Sequence, residues 1–230
     1  MTLSHEAWAA VYLSARLALW VTPAYFLVGA LLAWALVFGL KRPGWLDALV
    51  TVPLAFPPVV IGFVLLWLLG RQTLLGQGLA AWGLVCVFSF PGLWLAALIA
   101  GLPLVVKTLQ TALQTQPREL HETALTLGCK PFAAFWLVHL PIARAALLTG
   151  VLLALARGMG EVGISLMLGG NILGRTETLS LAIFNSVTTG DYRQGALLSG
   201  LLGGFCLSLL ALVRWMQPRP SRCACKDRTG

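Results

Sequence analysis

Arg157 and Glu161 are the side chains whose placement asks most of this chain, because they sit four residues apart within a long apolar segment, Ala145 to Gly174. On a helix that spacing puts both on one face. An ionisable pair at membrane depth is costly and by default marks a functional position. Two chemistries fit it. The pair is either a gate lining an ion path, with the arginine attracting an anion, or a self-neutralising lock between helices. The sequence leaves both open. His121 and His139 lie eighteen residues apart, and neither a metal nor a catalytic role is expected of them. No G-x-x-x-x-G-K-[ST] stretch is present to cradle ATP phosphates, and no H-E-x-x-H or G-x-S-x-G motif suggests hydrolysis. The chain is therefore not expected to be an enzyme, to bind a cofactor or to hold a metal.

The elements that position these residues are written in the hydropathy. The chain is 58% hydrophobic and 10% charged, whereas about a quarter of a soluble domain is charged. Leu17–Leu40, Ala48–Gly70, Gln72–Val106 and Gln194–Val213 contain no Asp, Glu, Lys or Arg. Each exceeds or approaches the ~20 residues that cross a bilayer. With the Arg157 segment, read as a helix from about Ile142 to Leu168, they predict an all-α membrane protein of five crossings, with six as the alternative. The 35-residue tract is read as a loop or short interfacial helix from Arg71 to Trp82, a break at Phe90-Pro91-Gly92, and one helix ending near Val106. Residues 7–16 read as an amphipathic approach to the membrane. The glycines and serines of the last helix (Ser199, Gly200, Gly203, Gly204, Ser208) would permit close helix contact.

Net charge is +8, yet its distribution argues for topology rather than for nucleic acid. Lys41, Arg42, Lys107, Arg118, Lys130, Arg144, Arg214 and the tail arginines fall on one side. Arg71, Arg175 and Arg193 fall on the other. The positive-inside rule then places the amino terminus outside and the carboxyl terminus in the cytoplasm. The expected divisions are an outer segment 1–16, a transmembrane domain 17–215 with a cytoplasmic loop 117–141, and a basic tail 216–230. No basic leader precedes the first apolar run, so it is read as retained. Cys223 and Cys225 have no second pair nearby and are not read as a metal site.

Two stretches carry more than topology. Pro53, Pro57 and Pro58 fall within six residues and cannot continue a regular helical ladder. The freed carbonyls must be covered by protein or face a water-filled path, so Pro57, Pro58 and Gly62 line a path or pack a kink. In the cytoplasmic loop, Pro117-Arg118-Glu119 starts a short helix and Gly128 ends it. A second short piece, Phe132–Val138, leads to Leu140-Pro141. Such a loop is either a surface hairpin or a lever joined to two spanning helices.

Glu122-Thr123-Ala124, Gly128, Val138, Leu140 and Pro141 have the spacing of the loop by which type I ABC importer permeases meet their ATPase. Thr123 stands where that family usually has alanine. Leu54–Phe63, Ala156–Gly163, Gly170-Asn171-Ile172 and Thr176–Ile183 resemble the molybdate and tungstate permeases and, more distantly, the sulfate permeases. The resemblance spans about Leu54 to Asp191. It implies the type I importer transmembrane fold in the bacterial inner membrane, with a coupling helix in the loop. It further implies cytoplasmic ABC ATPase subunits that use ATP and Mg, an extracytoplasmic oxyanion-binding protein and a second copy of the chain. Pro57, Pro58, Gly62, Arg157, Glu161 and Asn171 would lie along the path or its gate.

Overall fold

The computed structural model describes residues 5–39 and 44–216, the side chain of Arg118 excepted. The turn at Lys41-Arg42-Pro43 and the tail with Cys223 and Cys225 lie outside the described residues. Every element among the described residues is helical.

The first helix, α1 (His5–Trp34), ends in a π-helical turn, Ala35–Gly39. It is longer than expected, because residues 7–16 form its opening turns rather than a separate approach. Tertiary packing extends it: Ala7 and Ala10 are buried beside Leu179, Ala182 and Leu198, and the Ser14 hydroxyl accepts a 2.8 Å bond from the Leu179 N–H.

Next, α2 (Gly44–Ala55) and α3 (Pro58–Leu69) meet at a bend of 117°. Pro57 and Pro58 have no N–H to donate, so one ladder ends and another starts there. The short α4 (Leu74–Ala81) falls where an interfacial helix was expected, its first turn capped by Thr73, whose hydroxyl accepts from the Gly76 N–H at 3.1 Å.

Helix α5 (Phe90–Gln114) starts at the expected break but runs well past Val106. Charge does not end it, since Lys107 Nζ meets Asp47 Oδ1 of α2 at 2.6 Å. Gln110 donates to the same oxygen at 3.2 Å. A paired lysine at the membrane edge continues a helix as readily as a leucine does.

The loop holds α6 (Arg118–Thr126), α7 (Pro131–Ala134), a π-helical turn (Phe135–His139) and α8 (Leu140–Ile142). The expected single helix Ile142–Leu168 is instead two, α9 (Arg144–Met159) and α10 (Gly163–Gly169), separated at Gly160-Glu161-Val162. The buried Glu161 carboxylate causes the break, as described below. Finally, α11 (Leu179–Thr188) fills the outer loop and α12 (Tyr192–Met216) closes the chain.

Three helices, His5–Gly39, Phe90–Gln114 and Tyr192–Met216, are long and apolar enough to cross a membrane. The bent pairs α2/α3 and Pro131–Ile142/α9 bring the number to five if each is one span, the number expected from hydropathy. The core lies between α1, α5 and α9, where Leu17, Val21, Tyr25, Val105, Leu109 and Val151 are buried. A Cβ on Gly150 would stand 3.0 Å from the Val105 Cα, so the α5 and α9 backbones nearly touch. Along α1 and α5, Arg16 covers the Phe90 ring, Trp94 donates to the Trp20 carbonyl and Tyr25 donates to the Ala97 carbonyl. The two helices therefore run in the same direction, as a first and a third crossing must. Gly200, Gly203 and Gly204 of α12 face open space, so the close contact expected of them is not made among the described residues.

Candidate functional site

Two broken helices cross at their breaks. A Cβ on Gly163, the first residue of α10, would lie 3.1 Å from Pro58 Cβ and 3.1 Å from Val59 N. One turn on, a Cβ on Gly62 would lie 3.0 Å from the Ile164 Cα. Missing side chains thus let α3 and α10 lie backbone against backbone.

Glu161 holds this crossing. It is 3% exposed; its Oε1 accepts from the Ile164 N–H at 3.1 Å and its Oε2 accepts from Arg157 Nη1 at 2.7 Å. The Ser180 hydroxyl donates to the Glu161 carbonyl at 3.2 Å, tying α11 to the same point. The carboxylate therefore caps an orphan N–H at the start of α10, which is why the helix restarts there. Arg157 differs. Its side chain is 40% exposed, so one guanidinium edge neutralises Glu161 while the rest is open to whatever occupies the space beside α9.

Pro57, Pro58, Gly62, Arg157 and Glu161 are thus brought into one locus. Asn171 is not part of it. It takes a left-handed backbone (φ 50°) and exchanges side-chain bonds of 2.7 and 3.1 Å with Asn185. Asn185 in turn donates to Glu177 at 2.6 Å. Burial, with Glu6 nearby, raises the Glu177 carboxyl above the usual carboxylate range, although the Asn185 bond opposes this.

The polar loop forms a second locus. Pro117 precedes α6, and Gly128 ends it with φ +85°, while Cys129 N–H reaches back to the Ala124 carbonyl at 3.1 Å. Ala124 is buried beneath the helix, and Glu122 and Thr123 face outward. Val138 and Leu140 are half-buried and Pro141 is exposed. The loop carries uncovered apolar side chains: Leu127, at the end of α6, is 79% exposed and Leu137, in the π-helical turn, is 71% exposed.

Underneath is an arrangement that sequence reading missed. His139 is buried, with Nδ1 2.6 Å from Gln116 Oε1 and Nε2 3.1 Å from His121 Nδ1. Gln116 Nε2 donates to the His139 carbonyl at 3.1 Å, which fixes Oε1 toward the ring. His139 Nδ1 must then carry the hydrogen, and its Nε2 accepts from His121. Phe38, at the end of α1, stacks on His121 and packs against His139, with centroids 4.8 and 4.7 Å away. Burial, and secondarily His121, hold the His139 pKa below its ordinary value. His121 lies on α6 and His139 on the later π-helical turn, with the left-handed Gly128 and the Lys130-Pro131 turn between them, so no local pattern could have paired these rings.

Among the described residues no three His, Cys, Asp or Glu side chains gather as a metal site would require. The geometry suits mechanical work: a clamped loop at one end and a crossing of broken helices within the bundle.

The family model described as binding-protein-dependent transport system inner membrane component matches residues 25–222. The chain is similar to the molybdenum transport system permease protein ModB of Azotobacter vinelandii, 37% identical over 202 residues, or 87% of this chain and 89% of that one. Its similarity to the Escherichia coli K12 protein of the same name is 34% over 199 residues, 85% and 86% of the two chains. A probable sulfate transport system permease protein, cysT of Nephroselmis olivacea, is 35% identical over 191 residues, covering 82% of this chain and 67% of the relative.

Proposed function

The chain belongs to the family of binding-protein-dependent transport system inner membrane components, and from that premise we propose that it forms the translocation path of an importer for molybdate. Similarity to molybdenum permeases along nearly the whole chain supports that substrate. Tungstate, a near-identical tetrahedral dianion, would share the path. Sulfate is the alternative, because sulfate permeases are also similar.

The observation that carries the mechanical half of the reading is the clamped loop with its bare apolar side chains. Leu127, at the end of α6, and Leu137, beside His139, stand exposed on the two elements that the His121–His139–Gln116 contacts join. Such a surface suits a groove on a cytoplasmic ATPase. Family members are membrane permeases rather than enzymes, and ATP with Mg would act on the partner subunit. Force on α6 would reach α5 through Gln116. From α5 it would pass to α2 through the Lys107–Asp47 pair, and so to the Pro57 bend. Glu122, Thr123, Ala124, Gly128, Val138, Leu140 and Pro141 form the coupling loop in this reading.

Two copies of the chain would enclose the path, since five crossings from one copy scarcely surround a gated channel. The uncovered glycine face of α12 favours a second copy. ATP binding would close the ATPase pair and swing both loops. The Pro58–Gly163 crossing would then open outward beneath a loaded binding protein, and hydrolysis would reset it. The amino terminus would lie outside and the tail in the cytoplasm.

The test is uptake of labelled molybdate by cells with and without the subunit, challenged with excess tungstate or sulfate. Uptake lost on deletion and blocked by tungstate but not by sulfate is the expected result. Unchanged molybdate uptake would overturn the substrate, and failure to associate with any ATPase would overturn the permease role.

A further inference from the structure

A cavity of about 940 Å³ opens between the end of α3, the 71–73 turn, the 85–89 segment and the loop after α10. Two arginines line it, Arg71 and Arg175, together with Gln72, Thr73 and Ser89. Neither guanidinium has an ion pair or a side-chain hydrogen bond among the described residues. By the charge distribution of the sequence, the outer segments carry four arginines, Arg16, Arg71, Arg175 and Arg193, and two of those four meet at this one cavity. Basic residues are disfavoured on that side for topology alone, so their convergence calls for another cause.

The placement of the two is more telling. Arg71 lies in the turn that follows the C-terminal end of α3, and Arg175 lies in the loop that follows the C-terminal end of α10, six residues beyond it. These are the two half-helices whose opposite ends cross at Pro58 and Gly163. The wall between them is fixed: the Phe88 N–H donates to the Leu168 carbonyl at 2.6 Å, and Phe88 itself is held at φ +55°. Left-handed backbone at a bulky residue persists only where its surroundings impose it. A cleft lined by one sign of charge concentrates ions of the other sign, and the guanidinium fork matches a tetrahedral oxyanion.

We infer that Arg71 and Arg175 form an anion-receiving vestibule that takes the tetrahedral oxyanion released by the binding protein and holds it at the outer ends of α3 and α10. This rests on the importer reading above. A cavity of this size admits the anion with water around it, so the site is electrostatic and releases readily.

The experiment uses the full complex of chain, ATPase and binding protein in liposomes, with molybdate as the probe. R71Q, R175Q, the double variant and R71K/R175K are compared for anions imported per ATP hydrolysed. For the double variant that ratio should fall about tenfold, the low end of what charge focusing in a cleft supplies. Lysines should restore part of it, and raised salt should bring the parent complex toward the double variant. A double variant that imports as many anions per ATP as the parent overturns the vestibule. So does a parallel loss of uptake and of binding-protein-stimulated ATP hydrolysis, which would make the arginines docking contacts. A defect confined to liposomes containing anionic lipid also overturns it, since the arginines would then be headgroup anchors. If the parent carries sulfate and not molybdate, the same comparison with sulfate judges the vestibule separately from the substrate.

Discussion

Gly163 of α10 lies so close to Pro58 of α3 that a Cβ added to it would stand 3.1 Å from the proline Cβ. The contact joins two helix breaks with different origins. One is made by prolines that cannot donate, the other by a carboxylate that supplies the missing acceptor. Backbone freed within hydrocarbon must be covered by protein or face water; here the two breaks touch on one side, while Leu54, Ala55, Phe56 and Pro57 stay exposed in the single chain.

Gly163→Val should therefore force α3 and α10 apart. Overpacking of this kind costs about 1–3 kcal/mol, enough to lower the melting temperature of the purified complex while allowing insertion. Uptake should fall further than stability, because the displaced segment is the crossing itself. A variant with parental melting and transport would show that the two half-helices are not closely joined.

Arg157 and Glu161 are not equivalent partners, and variants should separate them. Glu161 is buried and bonded through both oxygens, while Arg157 is partly open. Removing one partner of a buried pair costs about 3–5 kcal/mol, and the exposure of Arg157 puts Arg157→Gln below that range. That variant should lower the yield of assembled complex. Adding Glu161→Gln removes the stranded charge and keeps an oxygen for the Ile164 N–H, so yield should recover. If Arg157 lines the path, uptake will stay low even then. Recovery of both, measured on the same membranes, would leave the pair as a packing lock.

The sequence made part of this site readable because glycine and proline act locally. Gly128, Pro131 and Phe90-Pro91 mark helix ends that the structure has, and Pro57-Pro58 marks the bend. Glu161 was not readable as a breaker. Arg157 and Glu161 have the spacing of a helical pair, and nothing in hydropathy distinguishes a charge within a helix from one capping the next. Lys107 misled in the opposite direction, since it ends an apolar tract but not a helix, its partner Asp47 being sixty residues away. The histidine contact and the Arg71–Arg175 cavity likewise depend on how distant segments meet.

At the loop, Leu127→Ala is expected to separate docking from folding. The side chain is 79% exposed, so its loss should leave the melting temperature within about 0.5 kcal/mol equivalent of the parent. Yet copurification of the ATPase and uptake should both drop several-fold if the side chain inserts into a partner groove, where anchor residues dominate affinity. Glu122→Arg on the adjacent turn should act in the same direction. Gly128→Trp should be worse than either, because its φ of +85° costs a residue with a Cβ about 1–2 kcal/mol before any contact is lost. Normal ATPase recovery with all three would remove the loop from the docking surface.

The clamp beneath that loop should be sensitive to acid. His139 accepts from His121 through a bare Nε2, so a proton there sets donor against donor and places a positive charge in a buried site with no acceptor facing it. Burial, chiefly, and His121 hold its folded pKa below the ordinary 6.5. The unfolded or released loop therefore binds more protons, and the clamp's contribution is complete above about pH 6.5 and lost as pH falls through the depressed value. ATP hydrolysis per anion imported should rise on acidification, as force on α6 no longer reaches α5. His121→Phe keeps the stack on Phe38 while removing the opposing donor, so its coupling ratio should lose much of that pH dependence. A ratio with the same acid profile in both proteins would mean that the response arises in the ATPase rather than at His139.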